Sequence, residues 1–268
     1  MALKKIIHGL WKIVLIIKGD FVMETCNILG VNIDVTNINE TVKYIEENLE
    51  NLKGNYICVC NVHTTVTAYE DDEYRKIQNG GALALPDGKP LSVLSKKLGF
   101  KNAQRVTGPD LMGELFKESE EKGYKHYFYG STQETLELLK VKLKEKYPQL
   151  DIVGMYSPPF ESDVSLEGDK FLNEINDTKA DFLWIGLGAP KQEKWMSIHK
   201  GKINAIMFGV GAGFDYYAGK IKRAPMWMQN CSLEWLYRLM QDPKRLSKRY
   251  VTTNSKFIYL TILNSKIL

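Results

Sequence analysis

The chain is poor in cysteine, and this excludes two classes of small protein. Its four cysteines, Cys26, Cys58, Cys60 and Cys231, show neither paired C-x-x-C spacing nor a dense framework. A disulfide-rich scaffold and a cysteine-held structural zinc are therefore excluded, and a reducing compartment is indicated. Cys58 and Cys60 lie inside an apolar run, so we expect both to be buried.

Long apolar runs are also absent, since no stretch reaches the roughly 18 to 20 uncharged residues that span a bilayer. The nearest candidate, 1–18, is interrupted by Lys12 and followed by no small-residue cleavage site, which argues against a signal peptide. Its apolar residues fall on one helical face with lysines around them, as in an interfacial helix. We therefore interpret 1–22 as an amphipathic N-terminal extension; the alternative is that translation starts at Met23.

Histidine is scarce, at four residues in 268. We interpret His63 as a surface or hydrogen-bonded histidine rather than a base, because no carboxylate lies at a sequence spacing that would indicate a catalytic pair. The acidic run 71–73 lies on a predicted helix, where acids usually form a solvated face. No metal site is predicted.

The composition is that of a soluble globular protein, with 44% apolar and 25% charged residues. The charge is unevenly distributed. From Lys220 onward the chain holds ten basic and two acidic side chains, a net charge of +8, so the part before it carries −4. A basic tail of this kind could bind nucleic acid, anionic lipid or a phosphorylated substrate.

Apolar runs followed by turn residues and then by helical periodicity recur through the body of the chain. We predict strands near 56–60, 82–85, 126–129, 152–155, 182–185 and 205–208. This alternation predicts an α/β fold, a largely parallel Rossmann-like sheet with flanking helices. Because ligands of such sheets bind at the carboxyl ends of the strands, we sought functional residues in the loops that follow them.

The run 182–195 passes from a predicted strand through Gly186 and Gly188 into a helix. Pro190 suits the first helical position, and the backbone N–H groups and positive dipole end beside it could seat a phosphate or diphosphate. The alternative is that the two glycines only turn the chain between packed elements.

Four further polar loops follow or adjoin the predicted strands. They contain Asn61 and Thr64, the Pro-Asp-Gly turn with Asp87, the cluster from Arg105 to Asp110, and the glycine loop with Gly209 and Gly211. Each has a purely structural alternative. Pro-Asp-Gly is a common β-turn sequence, Asn61 and Thr64 could cap the next helix, and Asp110 could cap a helix begun by Leu111.

Together these segments resemble the WecG/TagA/CpsF group of bacterial glycosyltransferases, also called glycosyltransferase family 26. The segments that carry the resemblance are 28–34, Asn61 with its helix, 85–88, 105–111, 129–130, 186–193, 209–215, 222–225 and 233–238. They extend over nearly the whole chain.

The resemblance implies transfer of a hexose or N-acetylhexosamine from a UDP-sugar to a lipid-diphosphate-linked sugar, with inversion at the anomeric carbon. It places the enzyme at the inner face of the cell membrane, as a cytoplasmic peripheral protein that builds a polymer such as teichoic acid, capsule or exopolysaccharide. It implies no metal and no cofactor. The donor stays open among UDP-N-acetylmannosamine, its uronic acid, UDP-glucose and UDP-galactose.

The resemblance also assigns roles to residues. Asp87 would be the base that accepts the proton of the acceptor hydroxyl. The residues expected to bind substrate are Asn61, Thr64, Arg105, Gly186, Gly188, Gln192, Gly209, Gly211, Arg238, Arg245 and Arg249. Val59 stands where some members carry threonine, so a hydroxyl contact would have to come from Thr64 or Thr65, or is not made at all.

The resemblance divides the rest of the chain into a catalytic domain, 23–221, and a helical membrane-associating appendage, 222–268. The appendage would close over the active site with Arg238, Arg245 and Arg249 near the diphosphate. The alternative for the helix after Leu233 is a core helix with solvated bases. The apolar face of the appendage's tail could also pack on a second copy of the chain instead of on lipid. The protein would then be a homo-oligomer.

Two other function classes would each leave a recognisable pattern in the sequence. A non-catalytic nucleotide-binding module would show G-x-G-x-x-G after the first strand with an acid about 20 residues on, and this pattern is absent. A nucleic-acid protein would use the basic tail, but that tail is as rich in aliphatic residues as in bases and has no recognised reading motif, so no nucleic-acid partner is expected.

Overall fold

A computed structural model describes residues 13–18, 21–159, 169–231 and 233–265. Its strands form two sheets. The strands are β1 (Ile13–Lys18), β2 (Phe21–Ile28), β3 (Val31–Asp34), β4 (Tyr56–Cys60), β5 (Leu83–Pro86), β6 (Lys125–Gly130), β7 (Asp151–Tyr156), β8 (Phe182–Gly186) and β9 (Ile206–Gly209). The larger sheet has the order β5-β4-β9-β8-β6-β7, and all of its pairs are parallel.

The helices fill the connections between these strands and form the C-terminal part of the chain. They are α1 (Ile38–Glu47), α2 (Leu49–Leu52), α3 (Val62–Glu70), α4 (Asp72–Gly80), α5 (Lys89–Lys97), α6 (Gly108–Lys122), α7 (Gln133–Lys146), α8 (Asp169–Asp177), α9 (Lys191–Ile198), α10 (Gly213–Tyr217), α11 (Met226–Asn230), α12 (Glu234–Gln241) and α13 (Pro243–Ser265). The prediction of an α/β fold with a parallel sheet, flanking helices and a helical C-terminal part is confirmed.

The six parallel strands match the six predicted from the sequence to within one residue at each end. Their side chains alternate between two buried clusters, one on each face of the sheet. Ile185 and Met207 lie in one cluster, and Trp184 and Phe208 lie in the other. Burial on both faces is typical of a parallel sheet covered by helices and explains why these runs are almost continuously apolar.

A smaller antiparallel sheet of β1, β2 and β3 was not predicted. We expected a helix over 1–18, and this is wrong for 13–18, which pairs as β1 with β2 along its whole length; residues 1–12 lie outside the described residues. A short continuous apolar run fits a strand as well as a helix, so periodicity could not separate the two.

Asp34, at the end of β3, connects the small sheet to the large one. Its Oδ2 accepts the backbone N–H of Ala84 on β5 at 2.6 Å, and Asp34 is 1% exposed. Because β5 is an edge strand, this carboxylate satisfies a donor that no neighbouring strand could take.

A buried histidine lies beneath α6, where Trp184 Nε1 donates to His126 Nδ1 at 2.9 Å. An indole nitrogen can only donate, so His126 Nδ1 accepts and Nε2 carries the proton that is shared with Ser119 Oγ at 2.8 Å. Burial lowers the pKa of His126 to about 3. His126 is therefore a neutral core residue.

The last helix, α13, lies against α3. Phe257 and Leu260 are buried in the same cluster as Val66 and Ala68 of α3. Other apolar side chains of α13 face outward, and Val251 and Ile258 are 67% and 57% exposed. Within the described ranges, no helix combines the length and apolarity that crossing a bilayer requires.

Candidate active site

Polar residues follow three neighbouring strands at the carboxyl edge of the large sheet. Cys60 pairs with Pro86, and Cys58 pairs with Gly209. Since parallel strands end at one edge, Asn61, Asp87 and the loop after Gly209 emerge side by side. Cys58 and Cys60 are both 0% exposed, as the sequence predicted.

Asp87 is held at this edge through its backbone, whose N–H donates to Cys60 O at 2.6 Å. Its side chain is partly buried. Burial raises the pKa of Asp87 to about 6, with a further contribution from the negative charge of Glu234, while Arg238 and Arg105 act in the opposite direction. A carboxyl group with this pKa is ionised at neutral pH and still basic enough to accept a proton.

Asn61 and Thr64 form the capping box of α3. Asn61 Oδ1 accepts the N–H groups of His63 at 3.0 Å and of Thr64 at 3.2 Å, and Thr64 Oγ1 accepts the Asn61 N–H at 2.9 Å. The hydroxyls of Thr64 and Thr65 both donate to Asn61 O, and both residues are 1% exposed. The capping alternative is therefore present in the structure, and a substrate contact from Asn61 or Thr64 stays a prediction.

The glycines of the loops after β8 and β9 differ in what they do. A Cβ at Gly186 would lie 2.7 Å from Phe214 Cδ2, and one at Gly209 would lie 2.8 Å from Met196 Cε, so these two positions permit close packing. Gly188 and Gly211 instead have positive φ angles of 80° and 52°, which turn the chain. The packing and turning alternative thus holds for this segment, and ligand binding by it stays a prediction.

Gln192 joins the two glycine loops. Its Oε1 accepts the N–H groups of Gly188 at 3.2 Å and of Gly211 at 3.0 Å, and its Nε2 donates to Glu193 Oε1 at 2.8 Å. Gln192 is 4% exposed and Glu193 is 0% exposed. Both halves of the Gln192 amide are thus engaged within the protein. The helix α9 begins at Lys191, one residue later than expected, with Pro190 as its N-cap.

Arg105 contacts the C-terminal helices. Its Nη1 donates to Glu234 Oε2 at 2.6 Å, and its Nη2 donates to Gln229 Oε1 at 3.0 Å. Arg223 Nη1 donates to Asp110 Oδ1 at 2.9 Å and its Nε lies 3.2 Å from Glu234 Oε1. These contacts hold α11 and α12 against the loop between α5 and α6 and against the first turn of α6.

Asp110 does not cap a helix, contrary to the alternative raised from the sequence. The helix α6 begins at Gly108, and its cap is Thr107, whose Oγ1 accepts the Asp110 N–H at 3.2 Å. Burial acts in the opposite direction, but hydrogen bonds from Arg223 and Thr107 hold the pKa of Asp110 below its usual value. Thr107 is a standard capping residue three positions before an acid, a signal that the sequence analysis overlooked.

Arg238 of α12 acts on Asp87 through its charge, and Arg249 of α13 acts on His63 in the same way. Each has a buried Nε that finds no hydrogen-bond partner among the described residues. Arg238 also lies over the ring of Tyr216, 5.5 Å from its centroid. Arg245 is more exposed and pairs with Asp242. A cavity of about 250 Å³ is lined by Arg238, Arg245 and Lys220.

The core-helix alternative for α12 is wrong, because α12, all of whose residues are described, buries none of its side chains. His63 is half-buried, and the interpretation that it is not a base stays a prediction. Its Nδ1 is buried without a hydrogen-bond partner in the described part of the chain, and burial together with the charge of Arg249 lowers the pKa of His63. The contact between α3 and α13 produces this environment, and sequence spacing gave no sign of it.

Unpaired buried donors beside a carboxylate are typical of a site that awaits an anionic ligand. In the described ranges, no group of three His, Cys, Asp or Glu side chains is placed to hold a metal ion.

Comparison with known proteins identifies the family. The model described as "Glycosyl transferase WecG/TagA/CpsF family" matches residues 26–267. The chain belongs to the WecG/TagA/CpsF family of glycosyltransferases. Among its relatives are N-acetylglucosaminyldiphosphoundecaprenol N-acetyl-beta-D-mannosaminyltransferases of Staphylococcus aureus strains MW2, NCTC 8325 / PS 47 and COL. Each is 28% identical over 225 residues, which cover 83% of this chain and 87% of the relative.

Two residues of this WecG/TagA/CpsF glycosyltransferase's candidate site were not predicted from the sequence. Glu193 and Glu234 both lie inside segments that carried the family resemblance, yet only their tertiary contacts mark them. Glu193 contacts Tyr74, 119 positions away, and Glu234 contacts Arg105, 129 positions away. Nothing in the local pattern could have found these partners.

Proposed function

We propose that this glycosyltransferase moves an N-acetylhexosamine from a UDP-sugar to a lipid-diphosphate-linked N-acetylglucosamine, with inversion at the anomeric carbon. The acceptor class comes from the printed names of the Staphylococcus aureus relatives, which act on N-acetylglucosaminyldiphosphoundecaprenol. The same names make N-acetylmannosamine the first donor sugar to test. The product would enter a cell-surface polymer.

In the proposed reaction Asp87 is the base. Its carboxylate accepts the proton of the acceptor hydroxyl as that oxygen bonds to the anomeric carbon, and the bond from this carbon to the UDP oxygen breaks on the opposite face. Two observations support the assignment. Asp87 follows β5 at the edge where ligands of parallel sheets bind, and its pKa of about 6 keeps it ionised at pH 7.

The departing diphosphate needs positive charge or hydrogen-bond donors beside it. The buried Nε atoms of Arg238 and Arg249 are unpaired and could supply these donors. The charge of Arg238 acts on Asp87, and that of Arg249 acts on His63 of α3. Arg105 is less available, because Glu234 and Gln229 already bind it.

A lipid-linked acceptor requires the enzyme to approach a membrane surface. The described part of α11–α13 presents exposed apolar side chains. They are Met226, Trp227, Trp235, Met240, Val251, Ile258, Tyr259, Ile262 and Leu263. Lys244 and Lys248 are exposed at the start of α13. Apolar side chains beside lysines favour binding to an anionic lipid surface.

The observation that carries the proposal is the position of Asp87 at the carboxyl edge of the sheet, where the charge of Arg238 acts on its carboxylate. The test is a panel of UDP-sugars incubated with a short lipid-diphosphate-linked N-acetylglucosamine, with and without chelator. Transfer from UDP-N-acetylmannosamine is expected, and NMR of the product would show the inverted anomeric configuration.

The alternative of a nucleotide-binding module predicts a different outcome. It would bind UDP but release no sugar to any acceptor in the panel. Retention of the anomeric configuration would instead remove Asp87 from the proposed single displacement, because a single attack always inverts.

A further inference from the structure

A chain of buried polar side chains runs beneath the two glycine loops. Cys60 Sγ donates to Gln78 Oε1 at 2.7 Å, Gln78 Nε2 donates to the Tyr74 hydroxyl at 2.8 Å, and that hydroxyl donates to Glu193 Oε2 at 3.0 Å. From the other side, Gln192 Nε2 donates to Glu193 Oε1 at 2.8 Å. The hydrogen bonds from both directions therefore end on Glu193.

Glu193 is a carboxyl group with 0% exposure. Burial raises its pKa, and the hydrogen bonds from Gln192 and Tyr74 act in the opposite direction. Burying such a group costs stability unless its oxygens are hydrogen-bonded, and here both are. A buried polar group retained at this cost beneath a binding edge is a candidate for a positioning role.

Only one orientation of the Gln192 amide satisfies its neighbours. The backbone N–H groups of Gly188 and Gly211 can only donate, so they require the amide oxygen. The Glu193 oxygen that faces the amide accepts a hydrogen bond, so it requires the amide NH₂. A flipped amide would lose all three hydrogen bonds.

The space around the amide fits the same role. A Cβ at Gly209 would lie 2.9 Å from Gln192 Nε2, closer than Cβ atoms approach other non-bonded atoms in proteins. The glycine at the end of β9 thus leaves the volume that the Gln192 amide occupies. Three glycines and one glutamine therefore form a single packed unit above Glu193.

We propose that Glu193 is a positioning residue for donor binding: it fixes the Gln192 amide, which in turn holds the loops at Gly188 and Gly211 in one geometry. This inference rests on the proposed function, because the nucleotide of the donor is what these loops would bind. Glu193 itself contacts no substrate.

The first test follows the amide protons directly. Glu193→Met removes the acceptor while keeping a similar volume, and hydrogen exchange of the Gly188 and Gly211 amides is followed by NMR. Exchange of both amides is expected to accelerate by about tenfold or more, the change that loss of an ordinary hydrogen bond produces. Tyr74→Phe is the matched control, since it removes the other hydrogen bond to the same carboxylate and should leave these two amides protected.

The second test measures nucleotide affinity and turnover. Glu193→Met is expected to raise the Kd of UDP and the donor KM by about tenfold, with kcat and the acceptor KM within about threefold of wild type. Glu193→Gln should restore most of the affinity, because its carbonyl oxygen can still accept from Gln192. A merely structural role would lower the active fraction, and so the apparent kcat, at an unchanged donor KM; that result overturns the inference.

A double variant tests whether Glu193 acts through Gln192. If it does, Gln192→Met combined with Glu193→Met binds UDP no more weakly than Gln192→Met alone. Additive losses would contradict the inference. Should Glu193→Met fail to fold, Glu193→Asp retracts the carboxylate by one methylene, and the same changes in exchange and donor KM are expected from it.

The two proposals fail in different ways. Wild-type protein that binds no UDP would refute the donor class, while the exchange rates of Gly188 and Gly211 would still decide the role of Glu193. Wild-type protein that binds UDP, with a Glu193→Met variant that binds it equally well, would refute the positioning role alone.

Discussion

Arg105 and Glu234 form an ion pair, with 2.6 Å between Nη1 and Oε2, across 129 positions of the chain. Their side chains are 16% and 20% exposed. The pair connects the loop after α5 to the first turn of α12. It therefore ties the C-terminal helices to the edge of the sheet where Asp87 lies.

Glu234 also sets the charge that Asp87 experiences. Glu234→Gln removes a negative neighbour and releases Arg105, and both changes lower the pKa of Asp87. Since the base must be ionised, wild-type kcat/KM is expected to fall below about pH 6, about tenfold per pH unit. In the variant the midpoint of this fall should move to lower pH. Glu118→Gln, which disrupts a distant ion pair with Lys122, is the control and should leave the midpoint in place.

Asp87→Asn should abolish most transfer and keep UDP binding. Loss of a general base slows chemistry by about 10²- to 10⁴-fold. Folding should not suffer: a raised pKa means that ionisation above about pH 6 costs the folded state stability, and asparagine carries no charge. The Tm at pH 8 should therefore be equal or higher. Asp215→Asn, which changes another half-buried carboxyl group with a raised pKa, is the comparison, and an equal loss of kcat there would argue against Asp87 as the base.

How much the sequence predicts depends on the range of the interaction. The six parallel strands were predictable because each is an apolar run closed by turn residues, a pattern held within about ten positions. The carboxyl edge then followed from parallel pairing, which brought Asn61 and Asp87 together. Helix caps such as Thr107 were also readable, although the alternative raised from the sequence gave that role to Asp110.

Contacts between distant segments were not predictable. Nothing near Glu193 indicates Tyr74, and nothing near His63 indicates Arg249, because packing of α9 on α4 and of α13 on α3 creates those environments. The prediction of a helix at 13–18, where β1 lies, was wrong for another reason. A short apolar run carries no periodicity that separates helix from strand.

Asn61 offers a test that separates capping from substrate binding. Serine caps helices about as well as asparagine, so Asn61→Ser should keep the Tm of wild type, whereas Asn61→Ala should cost about 1 kcal/mol. Both variants lose the amide. If Asn61 contacts substrate, both lose activity by about tenfold despite their different stabilities. An Asn61→Ser enzyme with full turnover would leave Asn61 with the capping role alone.

His126 should make folding sensitive to mild acid. Its pKa is about 3 in the folded state and about 6.5 in the unfolded chain, so the unfolded state binds the proton more strongly. The stability that it contributes is complete above about pH 6.5 and declines as the pH falls toward 3. Between pH 6.5 and 5 the loss should be about 2 kcal/mol. Denaturant unfolding of wild type and His126→Gln at both pH values checks this, because the loss should be absent from the variant; equal pH dependence would contradict it.

The exposed apolar side chains of α13 give the sharpest test of membrane association. Val251→Glu and Ile258→Glu place charges at positions that are 67% and 57% exposed, so folding should be unaffected. Insertion of one such side chain is worth about 1.5 to 3 kcal/mol, and binding to anionic vesicles should fall about tenfold or more per substitution. Val141→Glu is the matched control, since Val141 is 56% exposed on α7, away from the appendage.

Transfer activity should separate the α13 variants from the Val141→Glu control in the same way as vesicle binding does. Transfer to a lipid-linked acceptor in vesicles should fall with vesicle binding, while transfer to a short water-soluble acceptor should persist, because neither side chain belongs to the site around Asp87. Equal sedimentation of Val251→Glu, Ile258→Glu and Val141→Glu with anionic vesicles would show that this face of α13 does not bind lipid. Size-exclusion chromatography of the same variants would then reveal whether it packs on a second copy, since a charge in that interface would shift the protein toward the monomer.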